Sequence, residues 1–88
     1  MKTAFRESFA RDLKAVRNKK LLTRVQEVIE AVEKADSLAA LPNLKKLKGA
    51  KSYFRLRVGD YRLGLAFENN TLWFVRFLNR SDIYKYFP

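Results

Sequence analysis

Cysteine and histidine are both missing from this 88-residue chain. The first absence excludes disulfides and thiolate metal sites. The second removes the side chain most used for proton transfer near neutral pH, which is also the commonest metal ligand. No Gly-rich phosphate loop or cofactor box is present, so no cofactor is expected, and any chemistry has to run on Arg, Lys, Tyr, Ser, Thr, Asp or Glu. Long apolar runs are missing too. Nothing approaches the ~18 residues of a membrane span, and the opening stretch MKTAFRESFARDLKAV holds no apolar segment of signal-peptide length. The expected location is cytoplasmic, with no membrane contact. Acids are scarce, 9 against 19 Lys and Arg, which leaves a net charge of +10. Such a balance points to nucleic acid or to an acidic protein partner.

What is present reads as one small domain, residues 1–88, with 48% apolar residues to build a core. A short strand is expected at Lys2 to Phe5. Ser8 is positioned to cap a helix from about Phe9 to Arg17, carried by Phe9, Leu13 and Val16. After the break at Asn18-Lys19-Lys20, the spacing of Leu22, Val25, Ile29 and Val32 predicts a second helix, about Lys20 to Ala35. The short connection suggests an antiparallel helix pair. Asp36 to Ala50 reads as a loop made strongly basic by Lys45, Lys46 and Lys48, with Lys51 just beyond it; Pro42 keeps helix out of Leu41. Strands follow at 53–58, 61–68 and 71–78, then a short helix opened by Ser81 and running through Tyr84 to Phe87. The expected class is α+β: a small antiparallel sheet, made of a three-strand meander and the N-terminal strand, against the helix pair.

The most informative residues lie on the meander. Gly59-Asp60 and Asn69-Asn70 are two-residue hairpin loops of the kind that tolerates positive φ. Two-residue loops fix the register. Arg57 then faces Arg62 and Arg55 faces Gly64; in the second hairpin Arg62 faces Phe77 and Gly64 faces Val75. Alternation sends Phe54, Leu56, Val58, Tyr61, Leu63, Leu65, Phe67, Leu72, Phe74 and Leu78 to one face. Arg76 falls on that apolar face, against its chemistry. The other face carries Arg55, Arg57, Arg62, Gly64, Ala66, Trp73, Val75, Phe77 and Asn79. Opposed like charges destabilise a strand pair, so Arg57 against Arg62 is a local fault unless a phosphate sits between them. Gly64 and Ala66 leave a shallow hollow beside it.

The element order, together with the segment KLKGAKSYFRLRVGDYRLGLAFENNTLWFVRFLNRSDIYKYFP, resembles the RelE/ParE superfamily of toxins from bacterial type II toxin–antitoxin modules. The landmarks are KLKG before a strand of alternating basic residues, YRL after the hairpin, and NRSDIY closing the sheet. The resemblance implies a metal-free mRNA endoribonuclease working on translated messages in the ribosomal A site, with an acidic cognate antitoxin as partner. The family's basic pair falls on Arg55 and Arg57, its later arginines on Arg62 and Arg80, and its C-terminal tyrosine on Tyr84. Lys45, Lys46, Lys48, Lys51 and Asn79 are further candidates for holding RNA or the ribosome. Some members have lysine where Arg55 and Arg57 stand, and many have histidine where Asn79 stands. A guanidinium hardly gives up a proton, so the acid and base stay unassigned. Two alternatives remain: a ParE-like poison of DNA gyrase without nuclease activity, and a plain nucleic-acid-binding module.

Overall fold

The turns predicted from their residue types form as such. Gly59 takes φ +60°, and Asn69 and Asn70 take +51° and +59°, the two left-handed residues that a twisted hairpin loop requires. The computed structural model describes residues 1–47, 49 and 52–88. Its elements run β1 (Lys2–Phe5), α1 (Glu7–Lys14), α2 (Lys19–Lys34), a single 3-10 turn (Leu38–Ala40), β2 (Leu44–Lys46), β3 (Tyr53–Val58), β4 (Tyr61–Glu68), β5 (Thr71–Asn79) and α3 (Arg80–Tyr86). Five strands form one sheet in the order β1-β5-β4-β3-β2. The α+β architecture is as expected. Two of its details differ. β1 pairs with β5 in parallel, and the lysine-rich loop contributes β2 as an antiparallel edge strand on β3.

The first hairpin keeps the predicted register: Val58 faces Tyr61, Arg57 faces Arg62 and Arg55 faces Gly64. The second begins as predicted at Glu68 and Thr71, then shifts. Leu65 faces Phe74 but Gly64 faces Arg76, so Val75 is an extra residue in β5, a bulge. One added residue inverts every side chain beyond it. Arg62 consequently faces Leu78 rather than Phe77, and Gly64 faces Arg76 rather than Val75. Phe77 enters the core, where its ring stacks on Tyr61 at 4.8 Å, and Leu78 leaves it. Arg76 leaves it as well, which removes the misfit in the sequence pattern.

The core lies between the sheet and the first two helices. Leu63, Leu65, Leu72, Phe74 and Val32 are fully buried, with Phe9 and Val25 nearly so. Each contributes about 1.5–3 kcal/mol by leaving water. Each helix has its own seat, α1 against β5 and α2 against β1 and β3, rather than pairing mainly with the other. The cap of α2 is Asn18, whose side chain accepts the Leu21 N–H. Ser8 does not cap α1: Arg6 holds that position, and the Ser8 hydroxyl donates to Val75 O at 2.6 Å.

That bond belongs to a wider arrangement. β1 covers β5 only as far as Phe74, and beyond it α1 satisfies the strand's outer edge. Arg6 N–H donates to Phe74 O, Ser8 to Val75 O, and the Asp12 carboxylate accepts Phe77 N–H at 2.8 Å. The same carboxylate takes Arg76 through Nε and Nη2, at 2.8 and 3.2 Å. This hydrogen bonding raises the Arg76 pKa against the opposing effect of burial. No helix among the described residues is long and apolar enough to cross a membrane.

Candidate active site

The cationic face is built by β2, β3 and β4 and roofed at one side by α3. Arg57 and Arg62 stand opposite one another, and Lys45 of β2 stands opposite Arg55. Arg62 answers the like-charge opposition by folding back. Its Nη1 donates to Gly59 O and Tyr61 O, each at 2.9 Å, so two carbonyl dipoles fix it in place. The Nε–Nη2 edge is left to grip two oxygens of one anion. The Arg55 guanidinium lies 4.4 Å from the centroid of the Tyr84 ring, which α3 brings down from above. Arg55, Arg57, Arg62, Tyr84, Lys45 and Asn43 line a cleft of about 270 Å³ without a carboxylate. A neighbouring groove beyond Arg57, of about 250 Å³, is floored by Val28, Val32, Leu56 and Val58 and offers an anion much less.

The remaining sequence candidates fall elsewhere. Arg80 opens α3 with its N–H on Asp60 O, and its side chain is exposed outside the cleft. Asn79 is the cap of α3: its side-chain oxygen accepts the Ser81 and Asp82 N–H groups, and its amide donates to Asp82. Ser81, predicted as that cap, instead donates its hydroxyl to Asn79. Lys46 alternates away from Lys45 and faces the other side of the sheet, opposite Phe54. Lys48 and Lys51 lie outside the described residues. The hollow expected beside Gly64 is filled. A Cβ on Gly64 would stand 2.7 Å from the ring of Phe87, which is buried there with Ile83 and Ala66.

Two parts of the site were not anticipated. Asn43, at φ +63°, turns the chain into β2, and its carbonyl receives the Arg57 N–H. An asparagine after Pro42 is a residue suited to that left-handed turn, and this was the available clue. The second is Phe87, whose plug on Gly64 sets the height of α3 and so of Tyr84. Replacing Asn79 with alanine tests this support: losing the cap is expected to cost about 1 kcal/mol. Tyr84 should then loosen over Arg55, seen as broadened Tyr84 ring resonances while the core resonances stay sharp.

A family model described as the ParE toxin of the type II toxin–antitoxin system, parDE, matches residues 4–84. The chain belongs to this toxin family. Toxin RelE3 of Methanocaldococcus jannaschii is 40% identical over 89 residues, with all of both chains covered. The crystal structure of the RelB-RelE antitoxin–toxin complex from Methanococcus jannaschii matches with a TM-score of 0.82 at 38% identity, over 97% of this chain and 99% of that one. The YoeB dimer from Staphylococcus aureus shares the fold, with a TM-score of 0.72 at 18% identity over 91% and 97% of the two chains. The toxin thus carries the RelE/ParE architecture, and its arginine cleft sits where β3, β4 and α3 of that architecture meet.

Proposed function

We propose that this toxin is an endoribonuclease that cuts messenger RNA during translation, and that an acidic antitoxin restrains it. The observation that carries the reading is the cleft itself: three guanidinium groups, a lysine and a phenol around one opening, with no acid among them. Phosphate is the ligand that such a set suits. The similarity to RelE3, and to a RelE crystallised with RelB, supports both the activity and the partner.

Strand scission needs no group beyond those of the RNA and the cleft. The 2′-oxygen attacks the adjacent phosphorus and loses its proton. The 5′-oxygen leaves and gains one, and the upstream strand ends in a cyclic phosphate. Charge gathers on the phosphorus oxygens in between. Arg62, already fixed by two carbonyls, takes that charge without having to reorganise. Arg55 positions the strand, and Arg57 stands on the 2′-hydroxyl side. Lys45 and Tyr84 are the cleft groups able to exchange a proton, whereas arginine is not. Arg80, which the family resemblance brings among the site residues, lies outside the cleft here and is better placed for a flanking phosphate.

Brief expression of the toxin alone should arrest growth and produce new 5′ ends within translated messages, mapped by primer extension. Unchanged message ends with accumulating DNA breaks would replace this reading with gyrase poisoning.

A further inference from the structure

Three arginine–aromatic pairs lie on the sheet face that bears the cleft. Besides Arg55 over Tyr84, the Arg76 guanidinium is 6.0 Å from the Tyr86 centroid, and that of Arg6 is 4.0 Å from Trp73. The register places Arg55, Gly64 and Arg76 in one cross-sheet row and Tyr53, Ala66 and Trp73 in another. Tyr84 and Tyr86 project from α3 with 63% and 60% of their surface exposed. Strands stand about 4.8 Å apart and rise about 3.3 Å per residue, which puts Trp73 about 12 Å from Arg55. Beside Trp73 is an open hollow of about 530 Å³ lined by Phe5, Arg6, Arg11 and Val75, with Glu7 its one acid. The Arg76–Asp12 bridge is the one ion pair among the described residues, so Arg6 and Arg11 hold no carboxylate.

We propose that the RNA path continues from the cleft, over the exposed rings of Tyr84 and Tyr86 on the helix that covers the middle of this face, to a second, non-cleaving subsite at Arg6 and Trp73, where an unpaired base of single-stranded RNA is stacked. The proposal rests on the ribonuclease reading and extends it. Alternating cations and aromatic planes match a strand's alternation of phosphates and bases. Bases stack on indole faces and on guanidinium planes with little regard to sequence. Arg6 on Trp73 is such a platform already assembled, and the net charge of +10 favours an anion over it. The subsite would grip message beyond the scissile bond without taking part in the reaction.

Trp73 is the only tryptophan in the chain, so its emission reports this subsite alone. Eight-nucleotide 2′-O-methyl oligouridylate, which cannot be cut, should quench that emission on titration, and the two-nucleotide form should not. The double variant Arg6→Ala/Arg11→Ala should bind the eight-mer at least about fivefold more weakly, from the usual worth of one base stack. On brief expression it should produce new message 5′ ends at the same positions as the parent. The proposal is overturned if the eight-mer binds and is displaced by RNA while Trp73 emission stays constant and the double variant binds normally. It is equally overturned if an acidic peptide moves the emission and RNA does not, which would make the surface a protein-docking site. If neither length binds and brief expression leaves message ends unchanged, the ribonuclease reading has itself failed.

Discussion

Changing Arg62 to alanine should abolish growth arrest and lower the cleavage rate about 10²–10³-fold, the usual loss when one fixed group that stabilises transition-state charge is removed. The expectation rests on how Arg62 is held. Two carbonyls fix one nitrogen of a guanidinium that lines the cleft. The fold should survive. Losing those two bonds costs about 1 kcal/mol, and relief from the opposing Arg57 offsets part of it. A melting temperature within about 5 °C of the parent is expected. Arg62→Lys should recover only part of the rate, because an ammonium cannot grip two oxygens in one plane. Cleavage of a defined RNA and a thermal melt on the same preparation decide the matter. A variant that melts far below the parent, yet cuts normally in its folded fraction, would remove Arg62 from the active site.

The largest loss of stability is expected from Asp12→Ala. This carboxylate receives three hydrogen bonds, two from Arg76 and one from the Phe77 backbone, and only 11% of its side chain is exposed. Removing it strands a guanidinium and an N–H at the edge of the sheet. A fully buried pair broken in this way costs about 3–5 kcal/mol. Arg76 keeps 27% of its side chain in water, so about 2–3 kcal/mol is the better figure here. For a domain of this size that lowers the melting temperature by roughly 10–20 °C. Arg76→Ala should do less damage, because Asp12 then still receives Phe77. The double variant should fall short of the sum of the singles, as residues sharing one bond network do. A melt of Asp12→Ala within about 3 °C of the parent, no more than a surface substitution does, would place the Asp12 carboxylate outside the bonds that hold β5.

Legibility in the sequence followed the range of the forces involved. The first hairpin could be read residue by residue, because Gly59-Asp60 dictates its turn and the turn dictates the register that brings Arg57 to Arg62. The second hairpin could be read only as far as Phe74. The Val75 bulge depends on α1 reaching the edge of β5 through Ser8, 67 positions away in sequence, and no local pattern announces that. Ser8 and Ser81 were plausible caps by residue type, but Arg6 and Asn79 hold those positions, since tertiary partners decide where a helix begins. β2 is three residues long and two of them are lysines, so alternation had almost nothing to act on. Within the site, the three strand arginines, Lys45 and Tyr84 were legible by position. The occupant of the space above Gly64 was not, because Phe87 comes to it only through the closing of α3.

The unpaired Val75 bears on how such proteins can change over generations. Insertions and deletions are ordinarily harmless in loops and ruinous in strands. Here a strand already contains an extra residue, and the fold has adapted around it. Loss of either residue between Phe74 and Phe77 would erase the bulge and still leave Phe77 opposite Leu63 and inside, but it would take away a partner of α1, either the Val75 carbonyl that Ser8 bonds or the Arg76 that Asp12 holds. A gain of one would leave two unmatched residues where α1 supplies bonds for a fixed number. Descendants of this chain can therefore vary the length of the Asn69-Asn70 turn more freely than that of the strand after it. Where a relative keeps the strand length but lacks the bulge, its counterpart of Arg76 should be apolar and its counterpart of Asp12 free to drift.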